Sequence, residues 1–165
     1  MNYAFIYDTR IGKVKIAEDG LGITEIDLIS SDEEEEANTK KADLASVVIM
    51  ETDLIRKAYE ELSEYLNGKR KKFTVPLNPK GTEFQQKVWK VLQTIPFGET
   101  KSYGQVAMEI DNPKACRAVG MANHRNPILI MIPCHRVIGA DGSLTGYGGG
   151  LSLKEFLLDL EQEKG

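Results

Sequence analysis

Cysteine is nearly absent from this chain. Only Cys116 and Cys134 occur among 165 residues. Two thiols cannot complete a structural zinc site unaided, and in a reducing compartment a disulfide between them is not expected. Histidine is as scarce, with two copies, and tryptophan occurs once. No apolar run approaches the roughly 20 residues that cross a bilayer. The N-terminal MNYAFIYDTR lacks the basic-then-apolar order of a signal peptide, so a cytoplasmic protein is expected.

What is present is ordinary in bulk and uneven in detail. The chain is 41% hydrophobic and 28% charged, as soluble globular proteins are. Its net charge of −4 and pI near 5.3 argue against nucleic acid. The distribution argues the other way. Residues 1–66 hold 7 basic against 16 acidic side chains, while residues 67–151 hold 12 against 5. Phosphate binding needs basic charge on one face only.

The first 30 residues read as strands. Tyr3 to Tyr7, Val14 to Ala17 and Ile23 to Ile29 are β-rich, with turns at Gly12 and Asp19-Gly20. SDEEEEANTKK, residues 31–41, is too polar to pack. Leu54, Ala58, Leu62, Tyr65 and Leu66 recur at helical spacing, and Asn67-Gly68 closes that helix. Lys71 to Leu77 is expected to be a further strand. A boundary follows near residue 78, dividing the chain into 1–78 and 79–165.

The second part reads as helical. Thr82 with Gln85, and Ser102 with Gln105, are two capping boxes. A third helix is expected from Asn112 as N-cap, with Pro113 at its first position, to about Asn123. Short helix, brief turn, then a helix rich in Ala and Gly is the layout of a helix-turn-helix. Leu153, Phe156, Leu157 and Leu160 mark a last amphipathic helix.

One stretch concentrates chemistry. In IPCHRVIGADG, residues 132–142, Cys134 stands beside His135 after an apolar run from Ile128. A thiol reacts as its thiolate, and bringing a pKa of about 8.5 to about 7 takes roughly 2 kcal/mol. His135 is the obvious helper. In extended chain, neighbours i and i+1 point to opposite sides, so cooperation needs a turn or a bridging water.

Pro133-Cys134-His135-Arg136-Val137 resembles the active-site signature of the O6-alkylguanine-DNA alkyltransferases. The likeness continues through GTEFQQKVWKVLQTIPFGETKSYGQVA, NPKACRAVGMANHRNP and GYGGGLSLKEFLL, covering residues 78 to 161. It implies an α+β fold: a small ribonuclease-H-like sheet domain, then a mostly helical domain with a winged helix-turn-helix. It implies that Cys134 accepts the alkyl group, His135 deprotonates it through a water, and Glu161 orients His135. Asn126 would join the thiol–water–histidine network. Tyr103 would help rotate the nucleotide and protonate N3 of the leaving guanine. Arg117 would fill the gap left in the duplex. Ser102, Met121, Ala122 and Arg136 would also meet DNA, and Tyr147, Gly148 and Gly149 would wall the base pocket. Some members carry serine where this chain has Gly148. Cys116 falls where the family needs only a small packing residue.

The implied partner is double-stranded DNA carrying O6-alkylguanine or, more weakly, O4-alkylthymine. The protein would be a monomer without metal or cofactor, consumed by one turnover. Three other readings fit less well. Lesion sensors that share the helix-turn-helix replace the cysteine. The signatures of Cys-His hydrolases are absent. A methyltransferase using S-adenosylmethionine would need a Gly-rich turn after a first strand, and Gly146 to Gly150 comes too late in the chain.

Overall fold

A computed structural model of the chain describes residues 2–29, 47–142 and 151–163. Two compact units divide it, Met1–Pro79 and Lys80–Gly165. The acidic stretch 31–41 lies outside the described residues.

In the first unit, β1 (Asn2–Thr9), β2 (Gly12–Glu18) and β3 (Ile23–Ile29) form an antiparallel meander, and β4 (Val47–Ile49) joins β1 in parallel. The strand order is β3-β2-β1-β4. Alternation buries Val14, Ile16 and Ile26 on one face. Helix α1 (Asp53–Leu66) adds Ile55, Ala58, Leu62 and Tyr65 to the core, and Tyr59 stacks on Tyr7 at 4.0 Å. Thr52 caps α1 by accepting from Ile55 N.

Lys71 to Leu77 is not a strand. It meets the sheet only by the single bridge Ile23–Leu77, with Ile23 N donating to Pro76 O at 2.8 Å. Two features override its β-rich composition. Thr74 N bonds the buried Glu61 carboxylate at 2.8 Å instead of a neighbouring strand, and Pro76 has no N–H to give. Gly22 allows the close approach, since a Cβ there would lie 2.9 Å from Pro76 O.

The second unit contains α2 (Glu83–Leu92), β5 (Lys101–Ser102), α3 (Tyr103–Glu109), α4 (Cys116–His124), β6 (Val137–Ile138) and α5 (Leu151–Glu163). Both expected capping boxes are present, at Thr82 and Ser102. Trp89 is 1% exposed and donates from Nε1 to Ala122 O at 2.9 Å, fastening α2 to α4. The α3–α4 pair is the helix-turn-helix.

Helix α4 starts three residues later than the sequence suggested. Its N-cap is Ala115, and Asn112 O instead accepts from Ala115 N in a preceding turn. Asp111 at φ 59° makes the corner, a conformation that short polar side chains tolerate. Cys116 is exposed at the first position of α4, so it is not the packing residue expected.

Candidate active site

The apolar run before Cys134 is no strand but a series of buried turns. Met131 N bonds Leu129 O at 2.8 Å, and Cys134 N bonds Ile132 O at 2.7 Å. Ile130 sits at φ 73°, an outlier for a β-branched residue that costs about 1–3 kcal/mol. Asn126 holds these turns from both ends of its amide. Its Oδ1 accepts from Ile128 N at 2.9 Å and its Nδ2 donates to Ile132 O at 2.8 Å. Both polar atoms thus bond backbone, and the amide braces these turns.

Cys134–Arg136 form one 3-10 turn. It departs from the extended chain in which neighbouring side chains point to opposite sides. Strand β6 follows at once and pairs with β5, placing Lys101 against Val137 and Ser102 against Ile138. That short parallel ladder sets the start of α3, and so Tyr103, beside the chain that leaves the nucleophile turn. The Tyr103 ring lies over α4 at Gly120, where an added Cβ would be 3.9 Å from it.

Cys134 and His135 are both fully buried. His135 Nε2 lies 2.7 Å from Glu161 Oε2 on α5. A carboxylate only accepts, so Nε2 carries the hydrogen and Nδ1 is left as the basic nitrogen. Burial pushes His135 below its ordinary pKa, against the upward pull of Glu161, and the Arg136 and Lys154 cations lower it further. The ring is therefore a neutral base near pH 7. Burial alone would raise Glu161, but hydrogen bonds from His135 and Arg136 outweigh it and bring the carboxyl to about 2.

Arg136 completes this array. Its Nε and Nη2 each lie 2.9 Å from one oxygen of Glu161, and Nη1 donates to Ile95 O at 2.6 Å. The guanidinium is 6% exposed. The expected DNA contact of Arg136 is thus corrected. The Glu161 charge draws the guanidinium inward, where a bidentate pair offsets the cost of burying both ions. Gly98 N adds a further bond to Glu161 Oε1 at 3.2 Å.

The other expected residues separate by exposure. Arg117 lies exposed on α4, and Met121, one turn on, is 55% exposed. Ala122 is 2% exposed and faces the core, so its expected groove contact is corrected too. The apolar face of α4 passes through Val119 and Ala122, three residues apart. Ser102 accepts from Gln105 N at 3.1 Å as the cap of α3. Tyr147, Gly148 and Gly149 lie outside the described residues.

Two residues were missed by sequence reasoning. Lys154 on α5 is fully buried, and its Nζ donates to Val137 O at 2.6 Å. Burial lowers its pKa, and the charge of the Cys134 thiolate acts in the opposite sense. Asn123 on α4 is fully buried and donates from Nδ2 to Cys134 O at 3.2 Å. A signal existed for Lys154. It stands seven residues before Glu161, which puts both on one face of a helix whose apolar stripe they interrupt. No cluster of three or more metal-ligating side chains occurs among the described residues.

The comparisons with known proteins agree with this geometry. Residues 83–163 match "6-O-methylguanine DNA methyltransferase, DNA binding domain", and residues 2–79 match "6-O-methylguanine DNA methyltransferase, ribonuclease-like domain". A methylated-DNA–protein-cysteine methyltransferase of Methanosarcina acetivorans is 46% identical over 159 residues, 96% of this chain and 97% of that protein. The crystal structure of Mycobacterium tuberculosis O6-methylguanine methyltransferase superposes with a TM-score of 0.84 at 39% identity, covering 100% of this chain and 95% of that one. A structure of Mycobacterium tuberculosis OGT in complex with DNA gives 0.84 at 41% identity, over 98% of this chain and 94% of that one. With a buried Cys-His-Glu array, a helix-turn-helix and near-complete relatives, this chain belongs to the methylated-DNA–protein-cysteine methyltransferases.

Proposed function

We propose that this protein repairs DNA by moving the alkyl group of O6-alkylguanine, and more weakly of O4-alkylthymine, onto its own Cys134. The observation that carries this is the buried His135, held through Nε2 by Glu161 at 2.7 Å and following directly on the buried Cys134. His135 Nδ1 takes the thiol proton, directly or through a water. The sulfur attacks the alkyl carbon in line, the carbon–O6 bond breaks, and guanine leaves as Tyr103 donates a proton toward N3. The product is a thioether. A thioether is not readily cleaved, so each chain would act once.

The target O6 lies inside a stacked pair, so the nucleotide must be turned out of double-stranded DNA at a cost of a few kcal/mol. Helix α4 presents Arg117 and Met121 outward for this. Arg117 would occupy the space that the base vacates, and Met121 and Ser102 would lie against the sugar and phosphate edges. Minor-groove readout is degenerate, which suits inspection of any sequence. Tyr147, Gly148 and Gly149 would wall the base pocket. The protein would act as a monomer in the cytoplasm, without metal or cofactor.

The test is stoichiometry. Duplex bearing radiolabelled O6-methylguanine is titrated against limiting protein. Transfer should plateau at one methyl per chain and vanish in Cys134→Ala. Continued turnover would contradict the reading.

A further inference from the structure

Glu161 is gripped by backbone as well as by side chains. Its Oε2 meets His135 Nε2 at 2.7 Å, while its Oε1 accepts from Arg136 Nε at 2.9 Å and from Gly98 N at 3.2 Å. The terminal torsion of a glutamate is broad, so the carboxylate can roll about its stem. Where Oε2 points therefore depends on what holds Oε1.

Gly98 cannot hold itself in place. Pro96–Glu99 is a turn closed by Glu99 N on Pro96 O at 3.0 Å, with Gly98 in its third position at φ 84°, the residue and sign that a type II turn requires. A Cβ there would lie 3.7 Å from Glu161 O, an ordinary contact, so conformation rather than space calls for glycine. Glycine has the widest backbone freedom, and the aim of its N–H depends on what else is bonded. The other end of Gly98 is held from outside the turn, since Gln162 Nε2 donates to Gly98 O at 2.8 Å. Gln162 directly follows Glu161 on α5. Two successive residues of one helix thus take both ends of Gly98, Glu161 its N–H and Gln162 its carbonyl. Gln162 itself is exposed and has no part in the chemistry described above.

We propose that Gln162 is a positioning residue for the transfer. By holding the Gly98 carbonyl it keeps the Gly98 N–H on Glu161 Oε1, and so keeps Oε2 on His135. The proposal rests on the alkyltransfer reading, but the clamp on Gly98 belongs to the fold and can be read without any reaction. Substitutions of exposed residues change stability little. A small misplacement of a catalytic group is costly in rate. The effect of Gln162 therefore falls on rate and not on stability.

Two variants of the full chain test this. Gln162→Met keeps the length of the side chain and removes the donor. Gln162→Lys keeps an N–H donor at similar reach. Benzyl transfer from free O6-benzylguanine to Cys134 is timed by mass spectrometry over a range of base concentrations. In Gln162→Met the saturating rate should fall about 5-fold, the scale of one lost hydrogen bond. The half-saturating concentration and the melting temperature should stay in place, and Gln162→Lys should recover most of the rate. The backbone amide signal of Gly98, followed by NMR without substrate, should move upfield in Gln162→Met as its bond to Glu161 lengthens. A full rate in Gln162→Met, or a lower rate with the Gly98 signal unmoved, would overturn the role of Gln162. So would a lower rate that tracks a lower melting temperature and is not recovered by Gln162→Lys. Absence of transfer by the unaltered chain, from the free base and from a methylated duplex alike, would overturn the function itself.

Discussion

His135 Nε2 lies 2.7 Å from Glu161 Oε2, although 26 residues separate them in sequence. The contact fixes the tautomer of the imidazole, and with it the nitrogen that can act as a base. Glu161→Gln removes the carboxylate that favours this arrangement and leaves Arg136 buried without its counter-ion. The variant should lose about 3–5 kcal/mol of stability, as expected for a broken buried pair. Its transfer rate should fall by about 100-fold, within the range of general-base assistance. Denaturant unfolding and single-turnover alkylation measure the two effects.

The same pair sets a pH dependence. The folded pKa of His135 lies below its ordinary 6.5, and that of Glu161 lies at about 2, below its ordinary 4.5. In both windows the unfolded chain binds more protons than the folded one, so stability is lost as pH falls. The His135 contribution is complete above about 6.5 and declines below it. The Glu161 contribution declines between about 4.5 and 2. Melting temperature should therefore drop in acid, and the rate of alkylation should drop with it as His135 protonates.

Arg136 and Arg117 should separate cleanly. Arg136→Ala should destabilise the fold, while the salt dependence of DNA binding by folded protein stays unchanged. Arg117→Ala should leave stability unchanged within about 0.5 kcal/mol, as exposed substitutions do. It should weaken repair of duplex DNA much more than reaction with free O6-benzylguanine. Equal losses in the two assays would contradict its assigned place in the duplex.

Lys154→Met tests the buried cation behind Cys134. The swap keeps an unbranched apolar stem, and replacing a buried charge by an apolar group of similar volume is often tolerated. The variant should fold, yet its rate-against-pH curve for O6-benzylguanine should move to higher pH, because a positive charge that favours the thiolate is gone. An unchanged curve would show that Lys154 serves only its hydrogen bond to Val137 O.

Much of this was legible in the sequence, and the failures have physical causes. The first three strands and both capping boxes followed from β-rich runs broken at Gly12 and Asp19-Gly20 and from Thr82–Gln85 and Ser102–Gln105 spacing. Lys71 to Leu77 failed because Glu61, distant in sequence, captured Thr74 N before a neighbouring strand could. The family resemblance implies a DNA contact for Arg136, and only the fold brings Glu161 to it. Ile128 to Ile132 shows only an apolar run in sequence, and the two hydrogen bonds of Asn126 that hold it in turns are not visible there. Asn123 carried no local mark at all; its meaning depends on the Cys134 carbonyl arriving from another element.

The central claim is that Cys134 itself becomes the alkyl acceptor. The direct measurement is the intact mass of the full chain after incubation with a duplex holding one O6-methylguanine, followed by peptide mapping. The account predicts a gain of one methylene per chain, located on Cys134 and absent from Cys116 despite its exposure. An unchanged mass with the lesion still bound would contradict it and would make this protein a sensor of damage rather than its repairer.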